Sequence, residues 1–184
     1  MEIVWYTAMS MDGRIASAEH SLEFLDTISG SGANDFDGFI ANVDAVLVGA
    51  TTLRWLVGQG HGWPHDDLPT WLVSHDEELA ESVRPTRTPL VRVEGDVTAA
   101  IDAMELSGRH RVWLAGGGSI AAQVLALDRL DEVIATVAPT ALGAGPALFD
   151  GSGLAGRTFD LVECRSIGTA ARLRWVRRAR PQAT

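Results

Sequence analysis

Residues 112–120 constrain the fold of this chain more than any other segment. An apolar run, Val-Trp-Leu-Ala, ends in three glycines and a serine, and an alanine-rich helical pattern follows directly. Glycines let backbone N–H groups approach an anion, and a helix N-terminus adds unpaired donors and a positive dipole end. A similar junction occurs where the apolar residues 45–48 run through Gly49 into a second helical pattern. Two such junctions predict a ligand with two phosphate groups, such as a dinucleotide, held at the ends of neighbouring parallel strands.

The composition describes an ordinary globular chain without a basic surface. The 184 residues carry a net charge of −9, which argues against a nucleic-acid or anionic-membrane partner. We expect one domain over residues 1–180 with a frayed tail at 181–184. Cys164 is the single cysteine, so an intrachain disulfide is excluded. Since no leader-like or membrane-spanning apolar run occurs, the cytoplasm is the expected location.

The order of predicted elements is that of an α/β fold. Alternating strands and helices favour a mostly parallel central sheet flanked by helices, and the last two strands favour a C-terminal antiparallel hairpin. Asn34 is the predicted cap of a first helix carrying Phe36, Phe39, Ile40 and Val43, and Thr98 that of a later helix. Predicted strands cover residues 3–9, 45–48, 70–73, 90–93, 111–115, 131–137, 159–167 and 171–178; further helices cover 51–57, 98–106 and 120–127.

With these junctions, the chain resembles the dihydrofolate reductase superfamily. It is most similar to the riboflavin-pathway reductase branch, the C-terminal reductase domain, and to related single-domain bacterial reductases. The resemblance lies in Thr-Ala-Met-Ser-Met-Asp-Gly-Arg-Ile-Ala at 7–16, Asp-Ala-Val-Leu-Val-Gly-Ala-Thr-Thr at 44–52, Leu-Ala-Gly-Gly-Gly-Ser at 114–119, Leu-Asp-Glu-Val at 130–133 and Pro-Thr-Ala-Leu-Gly-Ala-Gly at 139–145, with Leu148 and Phe149 beyond. These motifs extend over nearly the whole chain, so the resemblance implies a dihydrofolate-reductase-like fold.

The resemblance also implies NADPH as the cofactor, with NADH not excluded. It places the nicotinamide against Ala8 and Ile15 and the adenosine 2′-phosphate near Ser74 and His75. The pyrophosphate region would lie on the two glycine junctions: Gly49, Ala50, Thr51, Thr52, Gly116, Gly117, Gly118, Ser119 and Ile120. Two departures weaken the preference for NADPH. Ala50 stands where the folate branch has arginine, and His75 stands where relatives often have arginine. A neutral histidine supplies less charge to a 2′-phosphate than a fixed guanidinium does. Without a ligand, Gly49 could serve helix–strand packing alone, and the two threonines could be helix caps.

Substrate and catalytic residues follow from the same resemblance. Ser10 and Asp12 would line the active site, although Asp-Gly is also a common turn. Thr136 matches a substrate-contacting threonine of the folate enzymes, or is an ordinary strand residue. Asp35, one turn before Phe39, lies where folate-type reductases carry a carboxylate that helps protonate the substrate ring; an acidic residue in a first helical turn also suits the helix dipole.

Three further features receive structural interpretations. His61 and His65 are four residues apart, but glycine and proline make their segment a loop, so we predict no metal site; Trp63 in that loop is expected to border the substrate cleft. Arg172, Arg174, Arg177, Arg178 and Arg180 alternate with apolar residues, which favours a solvated edge strand. Cys164 is expected to be buried in the hairpin.

The sequence therefore predicts an NAD(P)H-dependent reductase of a small heterocyclic substrate. The favoured substrate is a ribosylamino-pyrimidine, as for 5-amino-6-(5-phosphoribosylamino)uracil reductase in riboflavin biosynthesis. The alternatives are a dihydrofolate or pterin reductase and a catalytically inactive nucleotide-binding module. A homodimer is expected, because the C-terminal hairpin leaves an exposed edge and dimers are usual in the riboflavin branch.

Overall fold

The computed structural model of the chain describes residues 1–30, 35–60, 62–83 and 85–178. The strands are β1 Glu2–Met9, β2 Ala45–Gly49, β3 Thr70–Val73, β4 Leu90–Val93, β5 Arg111–Leu114, β6 Glu132–Val137, β7 Phe159–Ile167 and β8 Ala170–Arg177. The helices are α1 Phe36–Ile40, α2 Ala50–Gly58, α3 Glu77–Glu81, α4 Val97–Leu106 and α5 Gly118–Ala126, and a 3₁₀ turn covers Glu23–Thr27. The expected tail at 181–184 and the predicted cap Asn34 lie outside the described residues.

The strands form one eight-stranded sheet in the order β4-β3-β2-β5-β1-β6-β8-β7. From β4 to β6 every pairing is parallel, whereas β8 pairs antiparallel with both β6 and β7. The predicted α/β class, with a mostly parallel sheet and a C-terminal antiparallel hairpin, is confirmed. The parallel order brings the carboxyl ends of β2, β5 and β1 to one edge, where α/β folds place ligand sites.

Side-chain alternation along the strands builds a core on each face of the sheet. Ile3 and Trp5 of β1 point to one face, where they pack with the buried sides of α4 and α5. Val46 and Val48 of β2 point to the other face, toward α2 and α3. Near β6 and β8 this second face carries charged residues instead of a core, and the short helix α1 lies beside them.

Local capping differs from the sequence prediction at two helices. The side chain of Asp96 caps α4 by accepting from the Thr98 amide, so Thr98 is not the cap. Asp76 caps the unpredicted helix α3 by accepting from the Leu79 amide at 3.1 Å. Both are Asp residues, which are among the best N-caps, and each precedes a short amphipathic segment. The first helix is also shorter than its apolar spacing indicates, since it ends at Ile40.

Three expected side-chain environments are wrong. Trp63 does not border a cleft: it is 6% exposed in the core beneath α2, and its Nε1 donates to Thr70 Oγ1 at 3.0 Å. Cys164 is exposed because β7 is the edge of the sheet. Arg172, Arg174 and Arg177 do not lie on an edge strand, because β8 is flanked on both sides, and Arg172 is 4% exposed and ion-paired. Arg180 lies outside the described residues.

In the described part of the chain, no helix combines the length and the apolar character that crossing a membrane requires.

The turn between β7 and β8 docks on the segment before α1, and this contact yields a stability prediction. Gly168 has φ +60°, and a Cβ there would overlap the Ser29 carbonyl. Gly108 has a similar φ of +71°, but a Cβ there would meet nothing within 4 Å. We expect Gly108→Ala to cost about 1 kcal/mol from the backbone conformation alone, and Gly168→Ala to cost roughly 2 kcal/mol more from overpacking. Urea unfolding of both variants measures the difference; equal losses would contradict the docked turn.

Candidate functional site

The two glycine turns lie side by side at one edge of the sheet. Strands β2 and β5 are parallel neighbours with Leu47 opposite Leu114, and the Ala115 amide donates to the Leu47 carbonyl at 2.9 Å. Each strand then turns into the helix that follows it. A Cβ on Gly116 would lie 3.6 Å from the Gly49 amide nitrogen, so the two turns approach at backbone distance. The predicted adjacency of the two junctions is therefore confirmed.

A buried tryptophan orients the second turn. The Nε1 of Trp5, on the neighbouring strand β1, donates to the Gly116 carbonyl at 3.1 Å. Trp5 is 1% exposed, so this carbonyl points into the core. In a planar trans peptide the next amide points the opposite way, so the Gly117 N–H faces away from the core. The first-turn amides of α5 follow directly, and they have no partner within their own helix.

Both turns open into one cleft of about 510 Å³. The N-termini of α2 and α5 both border it, and each adds the positive end of a helix dipole. This local field contrasts with the overall charge of −9. The predicted residues that line the cleft are Ile15, Gly49, Ala50, Thr51, Thr52, Gly116, Gly117, Gly118, Ser119 and Ile120.

The three glycines of the second turn serve different purposes. A Cβ on Gly118 would overlap the carbonyls of Ala147 and Leu148, and one on Gly116 would overlap the Ile120 side chain. These two glycines are therefore required by packing within the protein. A Cβ on Gly117 would meet only the Ile15 side chain, at 3.7 Å. Gly117 also has φ −79°, which any residue adopts, so the fold does not require glycine there and a side chain would enter the cleft.

Aromatic and apolar side chains line the same cleft beside the glycine turns. Tyr6 of β1 and Trp113 of β5 come from strands that neighbour each other, and Trp113 Nε1 donates to the Tyr6 carbonyl at 3.3 Å. Trp55 of α2 reaches across to the loop after β1, where its Nε1 donates to the His20 carbonyl at 3.0 Å. Trp55, Trp113 and Ile15 offer apolar surface of the kind that a planar heterocycle occupies. The ring of Tyr6 instead packs against Phe39, stacked at 4.7 Å, and against the Arg172 guanidinium.

Three residues expected at the cofactor lie away from the cleft lining. Ala8 is opposite Thr136 in the β1–β6 register, and Thr7 rather than Ala8 lines the cleft. Ser74 is 4% exposed, and its Oγ accepts from the Asp76 amide at 3.0 Å. The side chain of His75 is 77% exposed and lies 3.9 Å from Glu94. Their roles toward a cofactor stay predictions.

Ser10 and Asp12, whose role toward the substrate stays a prediction, hold a loop together. Ser10 is fully buried, and its Oγ donates to Asp12 Oδ1 at 2.5 Å and accepts from the Arg14 amide. Asp12 also accepts from the amides of Leu142 and Gly143 at 3.0 and 2.7 Å. These hydrogen bonds, first that from Ser10, lower the pKa of Asp12 to about 2. The pair joins the turn after β1 to the loop after β6, and neither residue lines the cleft.

Asp35, the predicted catalytic acid, lies in a dense set of charges on the other side of Tyr6. Its carboxylate accepts from Tyr6 Oη at 2.5 Å, from Arg172 Nη1 at 2.6 Å and from Arg165 Nη2 at 2.5 Å. Thr136 Oγ1 accepts from Arg172 Nε at 2.9 Å. Tyr6, Asp35, Arg165 and Arg172 line a second cavity of about 660 Å³, which shares Tyr6 with the cleft.

The charges around Asp35 decide its protonation. Burial raises the pKa of this carboxyl group, but the hydrogen bonds from Tyr6 and the two arginines outweigh that effect and lower it below 3.8. Burial and the bond to Asp35 raise the pKa of Tyr6 to about 12. Asp35 is therefore a carboxylate at neutral pH and a poor proton donor. The geometry favours a structural role, in which Asp35 holds Arg172 and Tyr6 in place.

The loop that contains His65 places this ring in an aromatic cluster. The His65 ring packs against Trp113 at 4.8 Å and Trp63 at 5.5 Å, and burial lowers its pKa. His61 lies outside the described residues. Within the described ranges, no three His, Cys, Asp or Glu residues are grouped so that they could hold a metal ion.

Sequence reasoning missed Trp5, Tyr6, Trp55, Trp113 and Arg172. The aromatic residues belong to strands or a helix that adjoin the predicted junctions. This proximity could have indicated Tyr6, Trp55 and Trp113 as residues of the cleft and Trp5 as a residue of the core beneath it. Arg172 had no such signal, because its partners Asp35 and Thr136 are 137 and 36 residues away in the chain.

Comparison with known proteins places the fold among riboflavin-pathway reductases. The profile of the family described as RibD C-terminal domain matches residues 2–173. The uncharacterized protein YwjB of Bacillus subtilis (strain 168) is 27% identical over 175 residues, which cover 95% of this chain and 97% of YwjB.

Two solved structures share the architecture. A putative riboflavin biosynthesis protein from Shewanella sp. PV-4 is 22% identical with a TM-score of 0.80, covering 97% of this chain and 100% of that one. The diaminohydroxyphosphoribosylaminopyrimidine deaminase/5-amino-6-(5-phosphoribosylamino)uracil reductase of Thermotoga maritima is 14% identical with a TM-score of 0.69. The match covers 96% of this chain and 56% of the Thermotoga protein, so this chain spans about half of that protein's length.

The ion pairs of Asp35 yield a stability prediction. Asp35→Asn leaves the buried Arg172 guanidinium without its counter-charge, and we expect a loss of about 3 kcal/mol at neutral pH. Because folding lowers the pKa of Asp35, its contribution is present above the ordinary value of 3.8 and is lost as pH falls through the lower folded-state value. Urea unfolding at neutral pH and at about pH 3 measures this, since the gap between wild type and variant should narrow at acidic pH.

Asp37→Asn is the matched control, because it changes an exposed carboxyl group on the same helix. Its unfolding free energy should stay within about 0.5 kcal/mol of wild type. A loss at Asp35 no larger than that at Asp37 would show that the charge cluster does not hold this part of the fold together.

Proposed function

The chain belongs to the RibD C-terminal domain family, and we propose that it is a nicotinamide-dependent oxidoreductase that reduces a small heterocyclic substrate. Family membership and the reductase relatives support the oxidoreductase role. The observation that carries the proposal is the meeting of two glycine turns and two helix N-termini on one cleft. Backbone donors from both sides of a narrow gap suit a pyrophosphate, which has negative charge along its whole length.

The residues of the cleft fit a dinucleotide in three respects. Gly117 leaves open a space that a Cβ would fill, and its amide faces away from the core. The hydroxyls of Thr51 and Ser119 stand in the first turns of α2 and α5, where they can supplement the backbone donors. Ile15, Trp55 and Trp113 supply apolar walls for a ring. When bound, a reduced nicotinamide supplies a hydride to a substrate carbon, and a proton from water completes the reduction.

In this proposal the protein acts through positioning. The glycine turns hold the charged part of the cofactor, and the apolar walls hold two rings face to face and exclude water. The favoured substrate is a ribosylamino-pyrimidine, since a relative of known structure carries the name of a phosphoribosylaminouracil reductase. NADPH is the favoured cofactor, as the family resemblance implies.

Fluorescence titration with NADPH and NADH tests the cofactor. We expect a Kd well below about 1 mM for at least one of them. Oxidation of NADPH in the presence of a ribosylamino-pyrimidine then tests turnover by absorbance. Binding without oxidation by any pyrimidine, pterin or quinone would instead support an inactive nucleotide-binding module, and the lack of binding would contradict the proposal.

Gly117→Val tests the cleft directly. The substituted side chain fits the fold but enters the cleft, so we expect NADPH affinity to fall at least tenfold, which is about 1.4 kcal/mol. Stability measured by urea unfolding should change little. Gly62→Val is the control, because Gly62 also has open space around its Cβ position and lies outside the cleft lining. Equal NADPH affinity in both variants would show that dinucleotides bind elsewhere.

His75→Arg tests where a 2′-phosphate lies. The His75 side chain is exposed, so the change should not disturb folding. A guanidinium at this position adds a fixed positive charge, and we expect NADPH to bind about three- to tenfold more tightly while the affinity for NADH stays the same. The gain should shrink as salt is raised. If both cofactors respond equally, position 75 does not face the 2′-phosphate.

We also infer a homodimer through the edge strand β7. Among the described strands β7 pairs only with β8, and its Leu161 and Val162 are 54% and 52% exposed. Open strand edges with apolar side chains favour pairing with another chain.

A further inference from the structure

The cleft attracts anions through its backbone and not through basic side chains. The chain contains no lysine, so all 15 of its fixed positive side chains are arginines. Among the described residues, no arginine lines the cleft. Asp150 lines it and adds a negative charge beside the first turn of α5, where its amide donates to the Gly118 carbonyl at 3.2 Å. The positive potential of the cleft therefore comes from amides and helix termini, and a carboxylate reduces it.

The arginines of the described ranges are engaged elsewhere. Nearly all of them form ion pairs with Asp or Glu residues of the chain. Arg54 is on α2, whose first turn borders the cleft, and its guanidinium lies 3.3 Å from Asp76. Arg14 precedes the lining residue Ile15, and its Nη1 donates to the Gly145 carbonyl at 2.9 Å. The cations nearest to the cleft in the sequence are thus committed to the protein itself.

The second cavity does not supply a free cation either. Arg111 and Arg174 both pair with Glu132, which is 1% exposed, and the other two arginines there both pair with Asp35. A phosphate that recruited one of these guanidinium groups would take it from a carboxylate inside the protein. Removing a counter-charge from a buried carboxylate is costly, so these ion pairs compete with any anionic guest.

Two kinds of phosphate place different demands on such a cleft. The pyrophosphate of a dinucleotide extends along both glycine turns and can accept from amides on either side. A phosphomonoester carries about two negative charges at neutral pH on one terminal group. Its recognition usually includes charge-assisted bonds from arginine or lysine. A phosphomonoester in the cleft would also be repelled by the pyrophosphate and by Asp150.

The rest of the lining suits an uncharged ring. Leu22, Trp55 and Trp113 are apolar walls, and the hydroxyl of Thr7 is a neutral polar group between the strands and the loop after β1. The Nε1 of Trp55 is already bound to the His20 carbonyl, so the indole offers its ring surface and not its donor. Such walls hold a flat heterocycle by contact and exclude water from it.

We propose that the cleft selects an uncharged flat heterocycle without a phosphate group: a ribosylamino-pyrimidine with a free ribose 5′-hydroxyl, and not its 5′-phosphate. The inference rests on the proposed function, because that function places the substrate in this cleft. The selected compound differs from the phosphoribosyl compound in the name of the Thermotoga maritima relative.

A matched pair of ligands tests the selection in the wild-type protein. The probes are 5-amino-6-(ribosylamino)uracil and its 5′-phosphate, which differ in the phosphate group alone. Calorimetry on protein saturated with NADP⁺, which has no hydride to transfer, measures binding without turnover. We expect the unphosphorylated compound to bind at least tenfold more tightly, since the cleft has no side-chain cation for the phosphate. The difference should narrow as salt is raised, because salt screens repulsion.

Leu22→Arg tests whether a single cation in the cleft reverses the selection, and Leu22→Gln is its uncharged control. We expect Leu22→Arg to bind the 5′-phosphate at least tenfold more tightly than Leu22→Gln does, while their affinities for the unphosphorylated compound agree within about twofold. Urea unfolding verifies that both variants are folded.

The possible outcomes separate this inference from the proposed function. Equal or tighter binding of the 5′-phosphate by the wild type would overturn the inference, and so would a 5′-phosphate affinity that Leu22→Arg leaves unchanged. Binding of neither pyrimidine by a protein that binds the cofactor would overturn it too, but would leave the cofactor assignment intact. If no nicotinamide cofactor binds, the proposed function fails, and the pair titrated without cofactor still decides the inference by the order of its affinities.

Discussion

The backbone contact between two glycine turns is the constraint on which the rest of the site depends. Parallel pairing of β2 with β5 places Gly49 and Gly116 at the same edge, close enough that a Cβ on Gly116 would lie 3.6 Å from the Gly49 amide. Trp5 then fixes the direction of the Gly116 peptide from the core side. A larger residue at either Gly116 or Gly118 would move α5. The orientation of the first-turn amides therefore depends on the same packing that holds the helix.

The two cavities that meet at Tyr6 use opposite physical means. In the cleft, positive potential comes from helix termini and backbone amides. This source of potential does not require basic side chains, which suits a chain whose net charge is −9. In the second cavity, charge comes from side chains that neutralise one another, with Arg172 against Asp35 and Arg174 against the buried Glu132. The first arrangement leaves donors for a ligand, whereas the second mostly satisfies its donors internally.

The sheet was largely predictable because it depends on local patterns. Each of the eight strands was found within about two residues, since buried parallel strands read as short apolar runs between turn residues. The glycine turns were predictable because glycine is costly where it has no purpose. Two kinds of element were missed: the short helix α3, whose acidic sequence carries little apolar periodicity, and side-chain pairs between distant strands. Cys164 was misplaced because strand order, which decides which strands are edges, cannot be seen in the local sequence. Trp63 was misplaced because a loop rich in Gly, Pro and Asp gives no local sign that one of its side chains packs in the core.

Arg172 shows most clearly that a local sequence pattern does not reveal which side chains are buried. In the sequence it is one of five arginines that alternate with apolar residues, which is typical of a half-exposed strand. Its burial depends on β8 lying between β6 and β7, and on register that sets it opposite Thr136. Burying a guanidinium requires a counter-charge. In the described part of the chain Asp35, more than a hundred residues earlier, provides it directly. The carboxylate that the family resemblance assigned to proton transfer is therefore held in an ion pair by a residue near the opposite end of the chain.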